Sequence, residues 1–321
     1  MNDAGPVGFG VIGARSMVAT NAVMPAIDAS RHARLTAVAA LGGPVPERWS
    51  DLTVGGYDDV LTHPDVDAVY IPLPNGLHRA WAERAAAAGK HVLCEKPIAP
   101  SAADASAMAA ACDAAGVVLA EAWMTPFDAR WRHVVDTARD GGLGEIVDID
   151  TSFAFTMAAS DNYRWSPEQG GGALLDVGIY CLGPIVALWG SEPDVVDATA
   201  RWDRRGVDAR TEATLEWADG RRARVRCSFV DDEEQRIEFV GTSASLVVDG
   251  HAHTGGSDAT AFVVASADET VRREAVVPSD PYLGMVDAFA RTVRGETAWL
   301  RPMHESIELL QLLERIAEAC R

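Results

Sequence analysis

The sequence predicts an α/β fold in two parts, and three observations lead there. A length of 321 residues exceeds what one hydrophobic core usually serves. Up to about residue 120, short apolar strands alternate with helical stretches, the pattern of parallel strands joined by crossover helices. After Trp123 the apolar period changes to two, the mark of antiparallel strands with one wet face.

The elements follow in order. VGFGVIG (7–13) is an apolar strand ending in Gly, with a helical stretch to Ala29. LTAVAAL (35–41) and DAVYIPL (67–73) are the next strands, and GLHRAWAERAAAAG (76–89) has helical apolar spacing. HVLCE (91–95) is a strand, and SAADASAMAAACDAAG (101–116) is a helix capped by Ser101 and stopped by Gly116. VVLAEA (117–122) closes this part, so residues 1–121 form a Rossmann-type parallel sheet opened by a Gly-rich turn.

Residues 122–321 then read as an α+β domain with a large, mostly antiparallel open sheet. A helix at 126–142 precedes alternating runs at 146–155, 194–203, 210–217, 223–230, 235–241 and 245–250, with turns at Asp219-Gly220 and Asp249-Gly250. GGGALLDVGIYCLGPIVALWG (170–190) is an apolar helix, and stretches 281–295 and 304–320 supply closing helices. The apolar alternation of the sheet points to a homodimer or homotetramer formed through its open face.

Composition narrows the function. With 48% hydrophobic and 23% charged residues the chain is globular. Lys plus Arg is 28 and Asp plus Glu is 47, a net charge of −19 that disfavours nucleic acid and anionic lipid as partners. Apolar stretches are too short to span a membrane, and the N-terminus lacks the features of a signal peptide. Five cysteines without a CxxC pair fit free thiols in the cytoplasm. Of the basic residues only Lys90 and Lys96 are lysines. Lys90 reads as a solvated turn, whereas Lys96 ends an apolar strand, where a compact ammonium suggests a role.

Several motifs carry chemistry. In GVIGARSMV (10–18) only the first glycine of the dinucleotide fingerprint, Gly13, is cleanly present. Arg15 stands at the second glycine position, where backbone N–H groups can still cradle a pyrophosphate. The segment after the second strand, AALGGP (39–44), has neither the acid that holds NAD ribose nor a base for NADP. Arg15 and Arg48 could reach a phosphate, which favours NADP and leaves NAD open. IPLPNGLH (71–78) is a stiff strand-to-helix loop with Asn75 as a helix cap, and a rigid loop needs nothing particular of His78. CEKP (94–97) ends a strand at the same sheet edge. In GGGALLDVGIYCLG (170–183) the glycines permit close backbone approach, and Asp176 and Tyr180 share a helix face. Tyr180 is a candidate general acid or base beside an ammonium; a buried Tyr–Asp pair in the core is the plainer alternative. Clustered metal-ligand spacing is absent, so no metal is expected.

The ordered string of Gly-rich turn, IPLPNGLH, CEKP, EAWM and GGGALLDVGIYCL resembles the Gfo/Idh/MocA family of oxidoreductases over essentially the whole chain. Tyr rather than His at position 180 is similar to the subgroup of glucose–fructose oxidoreductase, dimeric dihydrodiol dehydrogenase, NADP-dependent xylose dehydrogenase and deoxysugar 3-ketoreductases. The resemblance implies hydride transfer between NADP or NAD and a sugar-like substrate bound between the domains, with Lys96, Asp176 and Tyr180 catalytic. It implies cofactor contacts at Ile12, Gly13, Ala14, Arg15, Ser16, Met17, Leu41, Pro72, Leu73, Pro74, Asn75, His78, Glu95, Lys96 and Trp165. Substrate contacts fall to Trp123, Arg164, Asp176 and Tyr180, with Asn162-Tyr163-Arg164-Trp165 as a loop near both ligands. Departures are a shortened stretch before Tyr57, a missing Ser-Arg pair for NADP, and Thr125 where many relatives carry Arg. The competing readings are a non-catalytic nucleotide- and sugar-sensing regulator and a trans-dihydrodiol-type dehydrogenase.

Overall fold

The computed structural model describes residues 5–158, 162–248, 250–254, 262–266 and 271–321. The chain divides into two units, Met1–Met124 with Tyr282–Ile307, and Thr125–Pro281 with Glu308–Arg321.

The first unit holds a parallel sheet of β1 (Val7–Ile12), β2 (Ala33–Ala39), β3 (Ala68–Ile71), β4 (His91–Glu95) and β5 (Leu119–Ala122), in the order β2-β1-β3-β4-β5. All of β1 and β3 is buried, which is why these strands read as unbroken apolar runs. The helical stretch after β1 is a π-helical turn, Ala19–Val23, leading into α1 (Met24–Ala29). A 3₁₀ turn, Glu47–Leu52, takes the place of a full helix before α2 (Tyr57–Thr62). Next come α3 (His78–Ala87) and α4 (Ala102–Ala115). Ser101 Oγ accepts from Asp104 N at 3.1 Å, and Gly116 stops α4 at φ +66°. Asn75 is not the N-cap residue of either element: Pro74 precedes its 3₁₀ turn and Leu77 precedes α3. Lys90 is not simply solvated either. Its ammonium donates to His63 O at 3.2 Å and Val66 O at 2.7 Å.

The sequence reading places 122–321 in one domain, but Tyr282–Ile307 packs with the first unit. The cause is apolar and ionic. Helix α7 (Pro281–Val293) buries Met285, Val286 and Phe289, with Phe289 against Phe9 at 5.7 Å between ring centroids. Beyond it, Glu121 of β5 accepts from Ser306 Oγ at 2.6 Å and from Arg301 Nη1 at 3.2 Å, while its other oxygen accepts from Ile98 N. Both members of this ion pair are nearly fully buried.

In the second unit, α5 (Ala129–Arg139) precedes β6 (Ile146–Ala154) and α6 (Ala173–Trp189). Strands β7 (Asp194–Trp202), β8 (Asp208–Glu216), β9 (Arg222–Ser228), β10 (Glu234–Gly241) and β11 (Ala244–Val248) follow, then β12 (Phe262–Ser266) and β13 (Val271–Glu274), which the sequence reading does not anticipate. They form one sheet, β13-β12-β11-β10-β6-β9-β8-β7, antiparallel except for the β6–β9 pair. Helix α8 (Met303–Ala319) closes the chain. Gly220 adopts φ +88° in the β8–β9 turn, as Asp-Gly predicts; Asp249 of the second Asp-Gly turn lies outside the described residues.

The sheet's apolar residues face inward. Ala213, Leu215, Val225, Ile237 and Phe239 are buried, and α6 packs on β6, β8 and β9. The other face is ionic. Arg224 pairs with Asp148 and Asp150 at 2.8 and 2.9 Å, Arg222 with Glu216 at 2.8 Å, and Arg226 with Glu234. The expectation of an open apolar face is therefore corrected: polar side chains at alternate positions cover it with cross-strand ion pairs.

The start of α6 is set by three glycines. Gly170 adopts φ +70°, and a Cβ on Gly171 would lie 2.5 Å from Arg164 O. At Gly172, φ is +120° and a Cβ would lie 2.2 Å from Asp208 Oδ1. Asp208 reaches from β8 to accept from Leu174 N at 2.7 Å and Thr211 Oγ1 at 2.8 Å, capping a helix whose own N-cap residue has no side chain. Burial pushes the Asp208 carboxyl up to about 6, against the lowering effect of these bonds.

Two outcomes are expected. Arg301→Ala leaves the Glu121 carboxylate buried without its cation and should cost about 3–5 kcal/mol of stability in denaturant unfolding. For Asp208, the folded state keeps a proton that the unfolded chain loses above its ordinary value of 3.8. Its stabilising contribution is thus present at low pH and lost as pH rises towards about 6. Asp208→Asn cannot titrate, so the melting-temperature advantage of wild type over this variant should grow on acidification from pH about 6.5 to about 4. A pH-independent gap would refute that assignment.

Candidate functional site

Three loops meet at the C-terminal edge of the parallel sheet. Gly13 follows β1 at φ +100°, and its N–H and that of Ala14 both bond Ala39 O, at 2.9 and 3.0 Å. A Cβ on Gly13 would lie 2.8 Å from Leu73 Cδ2 and 3.4 Å from Pro72 O. Conformation and space therefore both demand glycine, and the Gly-rich turn rests on the Pro72-Leu73-Pro74 loop. Ile12 and Ala14 are buried, Ser16 N bonds back to Gly13 O at 2.9 Å, and Arg15, Met17 and Leu41 are exposed.

The second and third loops are locked together by His78. It is fully buried, with Nδ1 3.0 Å from Pro97 O and Nε2 2.8 Å from Leu73 O. Burial lowers its pKa, so the neutral ring can donate from one nitrogen only. The ring therefore donates to one loop carbonyl and packs, fully buried, against the other. Asn75 is likewise buried. At the end of β4, Glu95 accepts from Tyr70 Oη at 2.6 Å and from the backbone N of Lys96 at 3.3 Å. Burial pushes its carboxyl up to about 7, opposed by Tyr70 and Lys96. The Glu95 side chain thus fixes the chain at Lys96 from inside the core, while Lys96 is half-buried and followed by a cis bond to Pro97. Trp123 is buried beneath the Arg301 guanidinium, 4.7 Å from ring centroid to Cζ.

Within the second unit, Asp176 and Tyr180 sit one turn apart on α6, both buried. Asp176 Oδ2 accepts from Arg164 Nε at 2.7 Å. Burial works against the Arg164 charge, but Asp176, Tyr163 and Tyr180 outweigh it and hold the guanidinium firmly protonated. Arg164 is placed by its loop. Asn162 Oδ1 accepts from Arg164 N at 3.0 Å, and Gly172 N donates to Arg164 O at 3.0 Å. Trp165 is buried, its indole donating to Ala158 O at 3.1 Å with the ring edge on Phe229. A cleft of about 390 Å³ opens beside this loop, lined by Tyr163, Trp165, Ser166, Glu168 and Arg205 among others.

The second unit also contains residues that the sequence reading misses. His253 is buried, stacks on Phe153 at 5.6 Å and 7°, and lies 6.4 Å from the Tyr180 ring; Phe153 lies 5.4 Å from that ring. Thr125 is buried and donates to His253 O at 2.8 Å. A histidine in a polar loop gives no periodic signal, so nothing in the sequence could have marked it. All five cysteines are free thiols. Among the described residues no cluster could hold a metal ion, and no helix is long and apolar enough to cross a membrane.

The first unit fits a dinucleotide: a glycine cradle that a Cβ would fill, an exposed Arg15 beside it, and a lysine at the same sheet edge. Comparison with known proteins agrees. Residues 7–122 match an oxidoreductase family with an NAD-binding Rossmann fold, and residues 131–247 match the Gfo/Idh/MocA C-terminal domain. The chain is 35% identical to D-xylose 1-dehydrogenase (NADP(+)) 2 of Haloferax volcanii, over 97% of this chain and 96% of that protein. It is 34% identical to the dTDP-3,4-didehydro-2,6-dideoxy-α-D-glucose 3-reductase of Streptomyces violaceoruber, over 86% and 82% of the two chains. The crystal structure of a 3-ketoreductase from Actinomadura kijaniata, in complex with NADP and TDP-benzene, superposes with a TM-score of 0.91 at 28% identity over 98% of both chains. An aldose-aldose oxidoreductase from Caulobacter crescentus, complexed with glycerol, gives 0.86 at 28% identity and the same coverage. This chain belongs to the Gfo/Idh/MocA family of oxidoreductases.

Proposed function

We propose that the protein is an NADP-dependent oxidoreductase acting on a hydroxyl or keto carbon of a sugar or sugar derivative, in the cytoplasm. The observation that carries this reading is the Arg164–Asp176 ion pair fixed one helical turn from Tyr180. When bound, the nicotinamide accepts or supplies a hydride at its C4. The protein's own residues handle the proton and the orientation. Tyr180 gives or takes the proton of the substrate oxygen. Lys96 presents an ammonium that stabilises negative charge developing on that oxygen. Asp176, held by Arg164, accepts from a neighbouring substrate hydroxyl and fixes which carbon reacts. The activities for which the xylose dehydrogenase, the dTDP-sugar reductase and the aldose-aldose oxidoreductase are named support a sugar-like substrate.

Tyr180→Phe keeps the ring and its packing on Phe153 but loses the proton. Steady-state turnover on a substrate found by a sugar screen should fall roughly 100- to 10,000-fold, as for a lost general acid/base, with NADPH affinity nearly unchanged. Near-wild-type turnover would move the acid/base role elsewhere. Lys96→Arg keeps the charge but not the compact ammonium, so it should fold, bind nucleotide and lose most turnover. Lys90→Arg should lower the melting temperature through the His63 and Val66 carbonyls and leave turnover per folded molecule intact.

A further inference from the structure

Dinucleotide-binding sheets choose between NAD and NADP in the loop after the second strand, where an acid takes the ribose hydroxyls and a base takes the 2′-phosphate. Here that loop is Ala40-Leu41-Gly42-Gly43-Pro44, without an ionisable side chain. A cation nevertheless stands at it, supplied from the opposite side. Arg15 leaves the β1 turn, and its Nη1 donates to Gly42 O. Gly42 and Gly43 adopt φ +77° and +153°, and a Cβ on Gly43 would lie 2.7 Å from Arg15 Nη1 and 2.9 Å from its Cζ. The two glycines thus lie against the guanidinium, in backbone conformations that residues with a side chain rarely adopt. One N–H goes to Gly42 O; the group carries five, on an exposed residue. The other arginine within reach by sequence is committed elsewhere: Arg48 pairs with Asp28 at 2.8 Å and lies over the Trp49 ring at 5.0 Å.

We propose that Arg15 is the residue that selects NADP, its guanidinium binding the 2′-phosphate from its place against Gly42 and Gly43. Selection has moved from the end of β2 to the turn after β1. The carbonyl anchor holds the fork in place before the nucleotide arrives, so little side-chain freedom is lost on binding. A charge-assisted, two-pronged contact to a phosphate dianion then distinguishes NADPH from NADH, which offers only a hydroxyl there.

The inference rests on the nucleotide-binding reading above, and one titration series separates the two. Dissociation constants for NADPH, NADH, 2′,5′-ADP and 5′-AMP are measured by tryptophan-fluorescence quenching and calorimetry on the full chain. Wild type should prefer NADPH over NADH and 2′,5′-ADP over 5′-AMP. Arg15→Ala should weaken NADPH and 2′,5′-ADP by roughly 10- to 100-fold and NADH and 5′-AMP by less than about threefold. Arg15→Lys should fall in between, and Arg48→Ala should change none of the four. Gly43→Ala, with Arg15 intact, should reduce the preference by displacing the guanidinium. Binding of neither dinucleotide by wild type would sink the nucleotide-binding reading itself. Wild-type binding that shows no NADPH preference, an equal loss for both nucleotides in Arg15→Ala, or a selective loss in Arg48→Ala would overturn the assignment of Arg15 and leave that reading standing.

Discussion

The second unit depends on one constraint: two consecutive positions before α6 have no room for a side chain. At Gly171 a backbone carbonyl of the 162–166 loop occupies the space, and at Gly172 the Asp208 carboxylate does. Because both neighbours close in, the loop and the strand are fixed to the same helix start. Arg164 then falls on Asp176, and the helical repeat sets Tyr180 one turn further on. Phe153 and His253 pack at the Tyr180 ring. The position of the phenol follows from backbone packing at residues 171–172, not from contacts made by the phenol itself.

The first unit works by the same logic on smaller parts. Gly13 yields its side-chain space to Leu73, so the β1 turn and the Pro72-Leu73-Pro74 loop cannot move separately. His78 ties that loop to Pro97, and Tyr70 with Glu95 ties the residue before Lys96 into the core. Buried polar side chains here serve the loops, whereas Arg15, Met17 and Leu41 are exposed. A family motif such as CEKP therefore mixes two kinds of residue: Glu95 holds position inside the core, and half-buried Lys96 can act.

Legibility in the sequence followed this division. Parallel and antiparallel strands were readable because burial on two faces or one leaves a continuous or an alternating apolar pattern. The Ser101 cap, the Gly116 stop and the Asp219-Gly220 turn were readable because local chemistry decides them. The glycines of 170–172 signalled close approach but not what approaches, since Arg164 and Asp208 meet there only through tertiary packing. Asp208 sits in an ordinary strand, and His253 in a loop. The return of 282–307 to the first unit was invisible because an amphipathic helix shows that it has an apolar face, not which sheet it covers. The face of the large sheet was misjudged for a related reason. Alternation fixes that one side is apolar, and only α6 packing on β6, β8 and β9 shows that this side is the buried one.

The scarcity of lysine also takes a different meaning in the structure. With arginine used almost everywhere, the sequence reads Lys90 as a solvated turn and singles out Lys96 for a role. Lys90 has a structural cause: two carbonyls, His63 O and Val66 O, converge on one small ammonium where a planar guanidinium is the wrong shape. Rarity therefore marks positions where the ammonium's shape matters, and shape can matter for packing alone. What separates Lys96 is its surroundings. It follows a parallel strand at the edge where such sheets bind ligands, and its backbone is held by a buried carboxyl. Lys90 instead lies at the opposite end of that strand, on carbonyls of its own fold. The chemical case for Lys96 rests on that place in the sheet, with composition as the signal that directed attention to it.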